Sequence, residues 1–290
     1  MKNFKRFSIP YIIWLGVLVL LPLVLLILIS FSATKYSLRF DSFRLSLDHV
    51  SSVFTAQNLA AFGNSIKLAL LATAGCVIFG YPVAYIISMS KIKNKYLTIL
   101  LILFPMWICM LLRLKVINSM FSEGGLLESY FGISLNISGT QFAVVLVMIL
   151  MYLPFMILPI FTQLQKIDRS LFEASQDLGA TPFKTFIKVT VPLSMKGVTS
   201  GIIMVFLPAA TGFAIPEIIG NGKISLIGNV IENYISGAKG VAIQYNIGCM
   251  ISLIIIIVVI GALVLISKID AEGETLLWWM MHMLLNLQHL

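Results

Sequence analysis

The sequence predicts an all-α, polytopic membrane protein with six transmembrane helices. Three observations carry that expectation. Of 290 residues, 59% are hydrophobic and only 11% are charged, against about 25% charged in an average soluble domain. The apolar residues gather in runs long enough for a bilayer core of about 30 Å, which takes roughly 20 helical residues to cross. The basic residues fall between the runs and favour alternate sides. A soluble chain of this size cannot bury so much apolar surface and still cover itself with polar groups, which excludes an ordinary cytosolic enzyme. A mean hydropathy of +0.99 excludes disorder as well, since disorder requires low hydrophobicity and high charge.

The first run, residues 10–32, exceeds the apolar core of a cleaved secretory signal. Ser32-Ala33 after Phe31 is a poor cleavage site, so the run reads as an uncleaved anchor. Five more spans follow at 62–89, 96–117, 140–162, 193–213 and 246–267, the last with a charge-free stretch from Ile251 to Ile266. Lipid gives backbone groups no outside partner, so each run must be helical. Pro22, Pro82, Pro105, Pro154, Pro159 and Pro208 lie inside or at the edges of spans; they read as packing kinks, with gating as the alternative.

With the first end inside, twelve Lys and Arg fall on inner segments. Five (Lys35, Arg39, Arg44, Lys223 and Lys239) fall on outer loops. That excess places both ends in the cytoplasm. Arg113 and Lys115, near the outer end of the third span, read as snorkelling anchors. The formal charge of +8 is therefore a topology signal and not a nucleic-acid surface. Cys76, Cys109 and Cys249 stand alone in apolar runs, which argues against a zinc or disulfide framework. His49, His282 and His289 lie outside the spans and far apart in sequence. The outer loops, 33–61, 118–139 and 214–245, are too short for a separate domain. Residues 1–268 thus read as a single transmembrane domain. The tail 269–290 reads as cytoplasmic, too short to span, with an interfacial helix anchored by Trp278 and Trp279 as one option.

The inner loop 163–192 is built differently. Ser170 and Glu173 form an S-x-x-E capping box, so a helix is expected from Leu171, with Leu171, Ala174, Ser175 and Leu178 on one face. Gly179 supplies a C-terminal residue able to take positive φ. Thr181 caps a second helix with Pro182 at its first position. Phe183, Phe186, Ile187 and Thr190 are expected on its apolar face, and Lys184 and Lys188 on the other. Pro192 is expected to break or kink the chain at the fifth span. Asp177 falls in the last turn of the first helix, near the negative end of its dipole, which costs about 0.3–1 kcal/mol when exposed. It reads either as a charge wetted by solvent or as one matched by a partner surface.

The pattern Glu173-Ala-Ser-x-x-Leu-Gly179-Ala, followed by Val189-x-Val-Pro192, resembles the EAA loop of ABC importer permeases, with Ser175, Val189 and Val191 as small departures. The resemblance extends to Gly80-Tyr-Pro-Val-Ala-Tyr85, Phe104-Pro-Met-Trp107, Leu153-Pro-Phe-x-x-Leu-Pro159, Leu207-Pro-Ala and Leu226-Ile-Gly-Asn-Val-Ile231. These segments are similar to the spermidine/putrescine permeases of that family. The resemblance implies a type I, MetI-like permease fold in the bacterial inner membrane. It implies that Glu173, Ala174, Asp177, Leu178, Gly179, Ala180, Thr181, Pro182, Phe186 and Pro192 couple the chain to a cytoplasmic ATPase. It further implies two ATPase subunits carrying ATP and Mg, a second homologous permease subunit, an external polyamine-binding protein, and no cofactor on this chain.

The residues agree that the chain hydrolyses nothing: Gly220-Asn-Gly-Lys-Ile-Ser225 has the wrong spacing for a phosphate-binding loop, and neither HExxH nor GxSxG is present. For a polyamine path, a carboxylate and aromatic faces are wanted. Glu217 is the carboxylate candidate. Trp107, Tyr85 and Tyr152 are the aromatic candidates, with packing or lipid contact as the alternative reading. Other solutes such as sulfate or iron complexes, an ATP-independent channel or scaffold, and a membrane enzyme are the competing functions.

Overall fold

The computed structural model describes residues 2–33, 44–132 and 137–264; the tail 269–290 lies outside the described residues. Among the described residues there is no β-strand, only an isolated bridge between Ser32 and Leu45. The principal helices are α1 (Lys2–Ser30), α2 (Ala56–Met89), α3 (Lys95–Leu103), α4 (Met110–Phe121), α5 (Gln141–Leu164), α6 (Arg169–Asp177), α7 (Pro182–Thr185), α8 (Val191–Thr211), α9 (Ala214–Ile219), α10 (Ile227–Ser236) and α11 (Tyr245–Val264). Among the described residues five helices are long and apolar enough to cross a membrane, and six if the bent pair α3–α4 makes one span.

That bend corrects the expectation of an unbroken helix over 96–117. The chain turns by 86° between Lys95–Trp107 and Met110–Phe121. Pro105 sits at the start of a 3₁₀ turn, Phe104–Trp107, and Ile108 and Cys109 are extended before α4 begins. Proline removes a donor and crowds the preceding turn, and here nothing downstream restores the helix until Met110. Pro22, Pro82, Pro154, Pro159 and Pro208, by contrast, stay inside helices.

By their contacts the described residues form two compact units, one drawn from residues up to 63 and from 227–259, the other from 64–226 and 260–264. The first gathers Val53, Ala61, Ile227, Val230, Met250 and Ile255 into one core. There His49 Nε2 lies 2.6 Å from the Ser30 carbonyl. In the second unit α5 is the spine, buried along Val144, Val147, Met148, Met156 and Ile160. Helix α9, within a stretch expected to be an outer loop, buries Ile215, Pro216 and Ile219 against α4 and α5. A polar knot fixes it: Ser138 Oγ donates to Asn118 Oδ1 at 2.7 Å, Asn221 Nδ2 donates to Ser138 Oγ at 3.0 Å, and the Gly139 N–H donates to the Ile219 carbonyl at 2.8 Å.

Helix α8 lies against α5 through Gly197 and Gly201, a G-x-x-x-G pair of the kind that lets membrane helices approach closely. A Cβ on Gly197 would meet the Pro159 carbonyl oxygen at 2.8 Å and the Ile160 Cα at 3.0 Å, both backbone atoms. A Cβ on Gly201 would first meet the flexible Met156 thioether, at 2.6 Å. Gly197→Ala is therefore expected to destabilise the chain by about 1–3 kcal/mol and Gly201→Ala by less. Thermal unfolding in detergent checks the order; equal effects would contradict the close approach.

Candidate functional site

The segment joining α5 to α8 is a capped corner. Asp168, not Ser170, begins it: its carboxylate accepts the Ser170 N–H at 3.0 Å, and α6 starts at Arg169. This corrects the expected capping box. Asp caps a helix at least as well as Ser, and its earlier position moves Glu173 beyond the first turn. The helix ends as Gly179 requires. With φ of +82°, Gly179 donates its N–H to the Gln176 carbonyl at 2.8 Å, and Ala180 donates to Ser175 at 3.1 Å. These are the two bonds of a Schellman motif. An added Cβ there would meet open space, so conformation alone calls for glycine. Thr181 then caps α7, its Oγ1 accepting from the Lys184 N–H at 3.3 Å, with Pro182 in the first turn.

The two arms are tied directly. Ser175 Oγ and Thr185 Oγ1 lie 2.8 Å apart, and Ser175 also donates to the Phe172 carbonyl at 2.9 Å. The alanine usual at the Ser175 position could make neither bond.

Of the break or kink expected at Pro192, the structure shows no break. Pro182–Thr211 runs on as one helix, through a π-helical turn at Phe186–Thr190 in which the Val191 N–H donates to the Phe186 carbonyl. Proline in a regular helix crowds the carbonyl four residues earlier, here that of Lys188; the wider turn relieves the clash without stopping the helix.

The expected apolar faces of the two helices divide between outside and inside. Leu171, Leu178, Phe183 and Ile187 are 46, 89, 71 and 45% exposed. Phe186 and Thr190 turn inward. Phe186 meets Tyr85 edge-on at 4.8 Å and Tyr81 at 5.8 Å. Tyr81 Oη lies 2.8 Å from Ser194 Oγ, which donates to the Val191 carbonyl at 2.9 Å. An aromatic joint thus links the corner to α2 and α8. Sequence reasoning missed Tyr81, although Tyr81 and Tyr85 are four apart and so share a helix face.

The aromatic candidates for a substrate path lie apart. Tyr85 belongs to the joint around Phe186. Trp107 is 79% exposed and stacks on Phe104 at the α3–α4 break, ring centres 6.4 Å apart. Tyr152 is buried and lines a cavity of roughly 260 Å³ with Met110, Met148, Pro208, Phe213 and Pro216; its hydroxyl donates to the Pro208 carbonyl at 3.3 Å. Glu217, half-buried in α9, follows Pro216 of that lining. Among the described residues no cluster of His, Cys, Asp or Glu could hold a metal ion.

Residues 4–268 match the family described as the binding-protein-dependent transport system inner membrane component. The chain is 30% identical over 288 residues to the spermidine/putrescine transport system permease protein PotB of Haemophilus influenzae, covering 93% of this chain and 98% of that one. To PotB of Escherichia coli K12 it is 32% identical over 225 residues, covering 76% and 82%. Its fold matches a chain of a bacterial ABC transporter that imports the acidic polysaccharide alginate, with a TM-score of 0.70 at 17% identity over 93% of this chain and 98% of that chain. It also matches the MetNI methionine ABC transporter, with a TM-score of 0.52 at 17% identity over 80% and 98%.

The joint makes a quantitative prediction. A double-mutant cycle of Tyr85→Leu and Phe186→Leu, read by thermal unfolding, should give a coupling energy of about 0.5–1.5 kcal/mol. Additive effects would mean that the two rings do not act together.

Proposed function

The chain belongs to the binding-protein-dependent transport system inner membrane component family, the membrane-spanning permease subunits of ABC importers, and on that premise we propose that it forms half of a polyamine path driven by a cytoplasmic ATPase that grips residues 163–192. As a member of that family it is a multi-pass inner-membrane protein and not an enzyme. The orientation with both ends in the cytoplasm, and the treatment of residues 1–268 as one permease domain, are part of the proposal.

The observation that carries the coupling role is the exposed apolar set on a rigid corner. Leu171, Leu178, Phe183 and Ile187 face outward from a backbone that Asp168, Gly179 and Thr181 hold by capping. Solvated loops gain nothing from such a surface, whereas a protein groove does. Glu173 and Asp177 flank it as exposed carboxylates, with Ala174 and Ala180 allowing close approach. Pro182 and Pro192 stiffen the second arm, and Phe186 carries its motion to Tyr81 and Tyr85. ATP and Mg act on the ATPase; two such subunits, a second permease and an external binding protein complete the machine. Closure of the ATPases pulls the corner, and the spans rock between inward and outward access.

Polyamine as cargo is supported by the relatives' identity and by Glu217 beside the Tyr152 cavity. Vesicles containing the assembled complex should take up spermidine or putrescine only with ATP, and sulfate or iron complexes should not compete. Uptake without ATP would support a channel instead; competition by sulfate or iron would move the substrate class.

Two substitutions test the grip. Leu178→Asp should strip the ATPase from the purified complex and abolish uptake, while leaving thermal stability within about 0.5 kcal/mol, as for an exposed site. Asp177→Asn should weaken assembly or coupling without lowering helix stability. If both variants assemble and transport normally, the corner is not the docking surface.

A further inference from the structure

In the other helices, threonine hydroxyls turn back to the carbonyl one turn earlier. Thr73 donates to Ala69 at 2.7 Å, Thr162 to Leu158 at 2.8 Å, Thr199 to Met195 at 3.0 Å and Thr211 to Leu207 at 2.9 Å. This local bond satisfies a hydroxyl where water is scarce. Thr190 departs from the pattern. It is 1% exposed, and its Oγ1 has no hydrogen-bond partner among the described residues.

The cause is the π-turn. One α-turn before Thr190 stands the Phe186 carbonyl, and in the π register that carbonyl serves the Val191 N–H. An α register over Phe186–Thr190 would bring the Phe186 carbonyl back within reach of Thr190, as at the four positions above. The same change would press the Lys188 carbonyl against the Pro192 ring. Each register thus carries one defect, a buried orphan hydroxyl or a crowded proline, and both defects are of the size that single substitutions move.

We propose that Phe186–Thr190 has two accessible registers, π and α, and that Thr190 is the positioning residue that keeps the α register within reach. Passing from one to the other turns α7 about α8 by one residue's worth of rotation, roughly 100°. Phe186 moves against Tyr81 and Tyr85, while the Tyr81–Ser194 contact holds α8 to α2. The register change is how a pull on the corner becomes a twist at the spans. This role rests on the coupling reading above, but the two registers themselves do not.

The test uses the assembled transporter in lipid vesicles and three forms of the chain: wild type, Thr190→Val, which keeps the shape and loses the hydroxyl, and Thr190→Ser, which keeps the hydroxyl. Thr190→Val should melt no lower than wild type, because its π register no longer buries an orphan. Its uptake per ATP hydrolysed should nevertheless fall about five-fold or more, the scale of an ordinary coupling energy. Thr190→Ser should restore wild-type uptake.

Spin labels at the exposed positions 184 and 200 should report two distances in wild type, redistributed by nucleotide, and one in Thr190→Val. Normal uptake per ATP in Thr190→Val, or a single distance in wild type whatever the nucleotide, overturns the proposal. Failure of the ATPase to bind overturns the coupling reading instead; the labels on the permease alone in nanodiscs then decide the two registers, where one distance rejects them and two sustain them.

Discussion

In hydrocarbon a backbone N–H or C=O without a partner costs several kcal/mol. That constraint explains why long helices dominate this chain and why its departures from regular helix carry meaning. Each departure has its own compensation. At the α3–α4 break the Ile108 N–H reaches the Pro105 carbonyl at 3.3 Å, and the Arg113 N–H reaches Cys109 at 3.2 Å. At the corner, Gly179 and Ala180 donate to the Gln176 and Ser175 carbonyls of the last turn of α6. At the π-turn the Val191 N–H takes the Phe186 carbonyl. Regular stretches give thickness and packing; the compensated irregularities supply the places where the chain can present a surface or change its path.

Two of these irregularities lie within a dozen residues of each other. The corner displays Leu178 and Phe183 outward, while Phe186 turns inward between Tyr81 and Tyr85. The Ser175–Thr185 contact ties the two arms to each other. Behind them, Gly197 and Gly201 bring α8 against α5 so closely that a displacement of α8 cannot be absorbed by a loose interface. A force applied outside at Leu178 therefore has a short, packed route to α2, α5 and α8. The Tyr152 cavity lies farther along α5 and α8, at the level of Pro208.

Much of this was legible in the residues. Apolar run length revealed the spans, and Gly179, Thr181 and Pro182 behaved as their local chemistry dictates, because caps and positive-φ turns depend on few neighbours. Asp168 and Ser170, two good caps two residues apart, are not separated by local chemistry alone. Pro105 breaks its helix while Pro22, Pro82, Pro154, Pro159 and Pro208 do not, a difference that residue type alone does not show. The inward turn of Phe186 depends on Tyr81 and Tyr85, about a hundred residues away in sequence. Aromatic character alone likewise could not tell that Tyr85 faces the corner while Tyr152 faces the cavity. Helices α9 and α10 were hidden because the stretch 214–245 mixes apolar and polar residues without a long run.

On the proposed function, an ATPase holds the corner and moves it. The most direct measurement is the structure of the assembled transporter without nucleotide and with ATP trapped, reading the solvent exposure of Leu178 and Phe183 in each. Both side chains should be buried in an ATPase groove in both states, with the corner displaced between them. A corner left in solvent in both states, while transport proceeds, would contradict that function.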